Sequence, residues 1–157
     1  MKLYIVATPI GNLSDMSERA VSVLREVDFI AAEDTRHTLK LLNHFGISKP
    51  MTSYFEHNRR EKGEIIVKRI LSGETAALVS DAGTPAISDP GEELVDLCFE
   101  NHIDVIPVPG PCAAISALSA CGLPTGRFCF EGFLSVVKNV REKHLVSLEE
   151  ERRTMVF

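Results

Sequence analysis

The chain has 157 residues, 45% of them hydrophobic, with a formal net charge of −5. That length can bury a real core in one domain or slightly more, and no run of roughly eighteen apolar residues offers a membrane-spanning helix. The acidic balance argues against indiscriminate nucleic-acid binding through a general positive field, but leaves room for a nucleic-acid substrate docked on a local basic patch.

Lys2 to Ala7 reads as a strand, with no secretory pattern of charged head, apolar core and small-residue cleavage site. Cys98, Cys112, Cys121 and Cys129 form no C-x-x-C pair. They are expected to be reduced thiols of a cytoplasmic protein, not a disulfide frame or a zinc site. After the strand, Thr8 to Leu13 is a loop, and Ser14, Asp15 and Ser17 are candidate caps for a helix running to about Val27. Its Ala20, Val21, Leu24 and Val27 recur at helical steps. Phe29 to Ala32 predicts a second strand, stopping at Glu33-Asp34-Thr35-Arg36-His37, and Thr38 to Phe45 a helix closed by Gly46. Met51 to Phe55 predicts a third strand. Arg59 to Leu71 predicts a charged amphipathic helix with Ile65, Ile66, Ile70 and Leu71 inward.

The stretch from Ala77 to Gly91 is the most informative. Ala77, Leu78 and Val79 are apolar without alternation, as in a strand covered on both faces. The chain then breaks into Ser80-Asp81-Ala82-Gly83-Thr84-Pro85 and runs on to Pro90 and Gly91, a rigid loop of small residues and oxygen carriers. Glu92 to Asn101 predicts a helix whose acidic start suits the helix dipole, and Asp104 to Val108 a strand. Pro109-Gly110-Pro111 opens a helix of small residues, Ala113 to Ala120. Phe128 to Phe133 predicts another strand, Lys138 to Arg153 a linker or exposed helix, and Thr154 to Phe157 a further strand. The expected fold is therefore α/β, a mostly parallel sheet with helices on both faces. A first domain is expected over residues 1–126, then a connector and the barely begun start of a second α/β domain over 127–157.

Loops at Thr8 to Leu13, Glu33 to His37, Ser80 to Gly91 and Pro109 to Ala113 each follow an apolar strand. In a parallel sheet all four lie on one edge, where a ligand cleft is expected. There is no G-x-G-x-x-G and no G-x-x-x-x-G-K, which disfavours standard dinucleotide or phosphate loops. A nucleoside with an amino-acid tail suits bare backbone better.

Five motifs in register, T-P-I-G-N-L (8–13), A-E-D-T-R-H-T (32–38), S-Y-F-E-H-N (53–58), V-S-D-A-G-T-P-A-I-S-D-P-G (79–91) and P-V-P-G-P-C-A-A (107–114), resemble the tetrapyrrole methylase superfamily. They most resemble its branch that methylates a cytidine 2′-hydroxyl of small-subunit ribosomal RNA. The resemblance implies S-adenosylmethionine as cofactor, small-subunit rRNA or the assembled small subunit as partner, a homodimer, and no membrane or DNA partner. It places cofactor contacts on Pro9, Ser80, Asp81, Ala82, Gly83, Thr84, Ile87, Cys112 and Ala113. Cys112 departs from the more usual serine or threonine. Thr84 replaces the aspartate of the tetrapyrrole enzymes' Gly-Asp-Pro loop, which points away from a porphyrinoid substrate.

Methyl transfer to an oxygen needs no metal, only alignment and a group to take the hydroxyl proton. Glu33, Asp34 and His57 are the candidate bases, and Arg36 can hold a phosphate through a bidentate contact. Plainer roles stand beside these. Asp34 and Arg36 can pair or cap the next helix, and His57 can be a hydrogen-bonded structural histidine. Arg59, Arg60, Lys62, Lys68 and Arg69 offer an RNA-facing patch, or, with Glu61 and Glu64 interleaved, a solvated face. A small-molecule methyltransferase and a non-catalytic nucleoside-binding module remain alternative functions.

Overall fold

Apolar strands without alternation require cover on both faces, and the sheet is covered in that way. The computed structural model describes residues 1–157 and divides into two compact units, Met1–Cys112 and Ala113–Phe157. In the first unit β1 (Lys2–Val6), β2 (Phe29–Ala32), β3 (Met51–Ser53), β4 (Thr75–Val79) and β5 (Asp104–Val108) alternate with four helices. These are α1 (Glu18–Glu26), α2 (Thr35–His44), α3 (Arg59–Leu71) and α4 (Glu92–Glu100). The strand order is β3-β2-β4-β1-β5, and every neighbouring pair is parallel.

The chain steps in one direction from β1 through β2 to β3, then returns through β4 to β5. Right-handed crossovers place the helices of the outward leg on one face and those of the returning leg on the other. Accordingly Ala20, Leu24 and Leu42 of α1 and α2 pack with Ile30, Ala32, Ala77 and Val79. On the opposite face Ile66, Ile70, Leu94 and Cys98 of α3 and α4 pack with Phe29, Ala31, Ala76 and Leu78. Successive residues of β2 and β4 thus serve opposite cores, as the two-residue period of a strand dictates. Because β4 lies between β2 and β1, its exit turns to one face while both neighbours' exits turn to the other. Divergent exits open a crevice at the C-terminal end of β4.

Several boundaries shift for local reasons. Helix α2 begins at Thr35, ahead of the expected Thr38, because the Asp34 side chain accepts the Arg36 amide and caps it. Among the candidate caps before α1, Ser17 accepts the Ala20 amide, while Asn12 caps a short 3₁₀ turn over Leu13–Asp15. On α3 the inward set is Gly63, Ile66, Val67 and Ile70, and the expected Ile65 and Leu71 are exposed. Gly63 is where α4 comes close: a Cβ there would stand 3.0 Å from Leu97.

The second unit contains α5 (Ala113–Ala120), β6 (Phe128–Phe130), α6 (Lys138–Ser147) and β7 (Thr154–Val156), with β6 and β7 paired in parallel. Lys138 to Arg153 is therefore helical only to Ser147. The two compact units divide at Cys112/Ala113, inside the span of the expected first domain. No helix is long and apolar enough to cross a membrane.

Candidate functional site

Thr8, the second residue beyond the end of β1, joins that strand to the β4 loop. Its amide donates to the Gly83 carbonyl at 2.9 Å and accepts the Gly83 amide on its own carbonyl at 3.0 Å. The buried Thr8 hydroxyl donates to the Ser80 carbonyl at 3.3 Å. This reciprocal bridge holds Gly83 at φ +84, a left-handed conformation that glycine adopts without strain. A Cβ at Gly83 would meet Ile10 at 3.4 Å, ordinary contact, so conformation and not space requires glycine here.

The β2 exit is tied to the same loop. Glu33 donates its amide to the Val79 carbonyl, the Asp81 amide donates to Glu33 Oε2 at 3.2 Å, and the Asp34 amide donates to Asp81 Oδ1 at 3.2 Å. From the β5 side, the Pro111 carbonyl accepts the Thr84 hydroxyl at 3.1 Å. Loops from β1, β2, β4 and β5 therefore converge, with the β4 loop at their centre. Within that loop the Ala82 and Thr84 amides donate to no protein acceptor. Bare amides at the carboxyl edge of a parallel sheet suit a polar, nucleoside-like ligand.

The loop is wound tightly further on. Ala86 takes φ +64, uncommon without a glycine, and a Cβ on Gly91 would lie 2.6 Å from the Ala86 Cβ and 2.9 Å from Leu78. Gly91 thus lets the loop fold back onto the strand that produced it. A groove of about 690 Å³ runs beside this segment, lined by residues 86–91 and by parts of α4 and the start of α3. It includes Ile87 and Asp89 but none of Glu33, Asp34, Asp81 or Gly83. The hydrogen-bonded meeting of four loops, and not this groove, gathers the candidate chemistry.

Electrostatics separate the two carboxylates at the β2 exit. Burial pushes the Glu33 carboxyl above its ordinary value, the hydrogen bond from the Asp81 amide opposes this, and the charges of Asp89, Asp81 and Asp34 add to the rise. Asp34 goes the other way, to about 2, held first by the Arg36 side chain and then by its amide. The Arg36 guanidinium grips both Asp34 oxygens, Nε to Oδ1 at 3.2 Å and Nη2 to Oδ2 at 2.9 Å, with its side chain 89% exposed. The plainer sequence reading of Asp34 and Arg36, a capping ion pair, is what the structure has. That role leaves the outer guanidinium face in solvent.

Of the other expected site residues, Pro9 follows the Thr8 bridge and Cys112 follows the Pro111 carbonyl that binds Thr84. Ala113 opens α5 in the second unit. His57 is exposed on the loop after β3, edge-on to Phe55 with ring centroids 6.5 Å apart, and no hydrogen bond or ion pair joins it to the β4 loop. Sequence reasoning missed Thr8 as the clasp and Asp89 as a charge acting on Glu33. The signal for Thr8 was a polar residue directly after an apolar strand. No group of side chains is arranged to hold a metal ion. Two of the five α3 cations are paired: Arg59 with Glu56 and Glu93, and Arg69 with Glu74 over the Phe29 ring.

A parallel, doubly covered sheet with its loops clasped around the β4 exit defines an α/β protein with a candidate site at the carboxyl edge of its sheet. Residues 2–157 match the model of the Tetrapyrrole (Corrin/Porphyrin) Methylases, and the chain belongs to that family. It is 54% identical over 156 residues to the ribosomal RNA small subunit methyltransferase I of Escherichia coli O157:H7, covering 99% of this chain and 54% of that protein. It is 56% identical over 155 residues to the protein of the same name from Synechocystis sp., covering 99% and 56%. The chain thus spans about half the length of the curated relatives it matches. Among solved structures, diphthine synthase superposes with a TM-score of 0.66 at 16% identity, covering 94% of this chain and 61% of that one. A Thermus thermophilus uroporphyrin-III C-methyltransferase complexed with S-adenosylhomocysteine superposes with a TM-score of 0.58 at 21% identity, covering 83% and 58%. These structures share the fold.

Proposed function

We propose that this chain serves an S-adenosylmethionine-dependent methyltransferase acting on the ribose 2′-hydroxyl of a cytidine in small-subunit (16S) ribosomal RNA. The observation that carries the reading is identity above half, over nearly the whole chain, to proteins named for that RNA. The converging loops supply a matching site. The solved uroporphyrin-III C-methyltransferases are about one-fifth identical to this chain, a likeness of fold. In this reading the protein is a cytoplasmic homodimer. Residues 1–126 act as the cofactor-binding domain and 127–157 as the connector into a second one.

The residues fit the cofactor. Ala82 and Thr84 offer unpaired amides, Gly83 keeps the loop bare, and Pro9, Ser80, Asp81, Ile87 and Cys112 complete the proposed contact set within the first unit. When bound, S-adenosylmethionine supplies a methyl group on a sulfonium. Glu33 is the proposed base. Its Oε2 is held by the Asp81 amide, leaving Oε1 to take a proton from a hydroxyl. A raised carboxyl value brings the base closer to neutrality, where proton transfer is most effective. Asp34, locked in its ion pair and with a lowered value, is a poor base and a good anchor for Arg36. Arg36 presents its solvent face to a substrate phosphate. His57 stays a secondary candidate on the neighbouring loop.

Transfer of labelled methyl groups to unmethylated small subunits and to a porphyrinoid, in parallel, tests the reading. Label in the rRNA ribose supports it, and label only in the ring rejects it. Cofactor binding without turnover on either substrate would favour a nucleoside-binding module. Arg36→Ala is expected to cut RNA turnover about tenfold, one lost charged contact, with S-adenosylhomocysteine affinity unchanged.

A further inference from the structure

Helix α2 lies in the longest stretch of the first unit without a carboxylate side chain. Arg36, His37, Lys40 and His44 all lie on it and are all exposed. After Asp34 no carboxylate side chain occurs until Glu56, in a chain with 22 acidic residues. Thr38 and Leu42 form its buried side, so the basic residues, three or four apart, share the outward face. Arg36 is bound to Asp34, whereas His37, Lys40 and His44 enter no ion pair. On α3, by contrast, Glu61 and Glu64 are interleaved with the cations; Arg59 and Arg69 are paired there, while Arg60, Lys62 and Lys68 enter no ion pair.

Helix stability does not account for this arrangement. The ion pair with the N-cap Asp34 accounts for Arg36 in the first turn, where cations are otherwise disfavoured, but no acidic partner accounts for Lys40 in mid-helix. The first turn is also the end nearest the cleft, since α2 starts one residue beyond Asp34 and two beyond Glu33. From there ten residues carry the positive face about 15 Å away from the site.

We propose that the outward face of α2, through Lys40, His44 and His37 with Arg36 at its head, is the track on which the RNA strand flanking the target nucleotide lies. The inference rests on the rRNA reading above. A phosphate backbone is the occupant because the exposed positions of the helix carry Arg36, Lys40, two imidazoles and Asn43, no carboxylate, and a single large apolar side chain, Leu39. It makes α2, not α3, the local basic patch of an otherwise acidic chain.

The test is binding of a 16S rRNA transcript to the chain by fluorescence anisotropy across a salt series, alongside calorimetry with S-adenosylhomocysteine. Lys40→Glu with His44→Glu is expected to weaken RNA binding about tenfold or more. Each phosphate contact removed should reduce the salt slope by about one. Lys40→Gln with His44→Gln should move both in the same direction by less. S-adenosylhomocysteine affinity should hold in all of them, and Arg60→Glu with Lys62→Glu on α3 should change RNA binding less than twofold. Wild-type protein that binds RNA while the α2 variants bind equally well, or no worse than the α3 variant, overturns the track and leaves the rRNA reading standing. A wild-type chain with no RNA affinity overturns both. Loss of cofactor affinity in step with RNA affinity also counts against the track, assigning the effect to the fold.

Discussion

At the scale of single residues, the two neighbours Glu33 and Asp34 show how position decides chemistry. Asp34 accepts from Arg36 and is held near 2, so its contribution is present above the ordinary carboxylate value and is lost only as pH falls through about 2. Glu33 is partly desolvated among Asp81, Asp89 and Asp34, so the folded chain holds its proton more tightly than the unfolded one. It therefore withdraws stability as pH rises above the ordinary value, and loses its basic form as pH falls through the raised one. The acid limb of kcat/KM is expected above the ordinary carboxylate range. Glu33→Gln should remove that limb and lower kcat by ~10²–10⁴-fold with cofactor affinity nearly unchanged; a retained limb would move the base elsewhere. Gly83 makes a second residue-scale case. Its left-handed backbone costs a side chain roughly 1–2 kcal/mol and more if branched, so Gly83→Val should break the Thr8 bridge and abolish S-adenosylhomocysteine binding by calorimetry.

Among elements, the β4 loop and the α3–α4 pair carry the packing consequences. Gly91 sits where a Cβ would lie 2.6 Å from Ala86, so Gly91→Ala should destabilise the chain by about 1–3 kcal/mol through overpacking, read by denaturant titration. Tyr54 offers the opposite expectation. It is fully buried, and its hydroxyl lies near the Leu94 amide without a hydrogen bond of good geometry. Burial, with the Glu93 charge, pushes its phenol up to about 12, so it stays neutral. Removing an unsatisfied hydroxyl is neutral or favourable. Tyr54→Phe should leave the melting temperature unchanged or raise it, and a marked fall would show that the hydroxyl has a partner in solution.

Across the whole molecule, the two units differ in how much they bury. The first holds two apolar clusters against a five-stranded sheet. The second has a two-stranded sheet, with Phe133 85% and Val136 94% exposed. Two strands are marginal in water without further cover. Hydrogen exchange on the chain should therefore find amides of β1, β2 and β4 protected at least ~100-fold longer than those of β6 and β7. Equal protection would mean that the second unit draws stability from elsewhere.

Much of the fold was legible in the residues because its signals are local. Unbroken apolar runs gave β2 and β4, caps and glycines bounded α1 and α3, and the alternation of strand with helix implied a parallel sheet whose loops share an edge. The Ser80 to Gly91 loop stood out by composition alone, since no ordinary turn needs so much bare backbone. Contacts between distant segments were not legible. Thr8 clasping Gly83 and Asp81 binding Glu33 depend on segments 48 to 75 residues apart meeting in the order β2-β4-β1, whereas the Asp34–Arg36 cap is local and was legible. The inward face of α3 was misjudged for the same reason: helical periodicity defines a stripe, but only the approach of α4 at Gly63 decides which stripe is buried. Local sequence sets backbone conformation and exposes candidate chemistry. Which carboxylate is desolvated, and which cation is left unpaired, is decided when the sheet brings separate loops within hydrogen-bond reach.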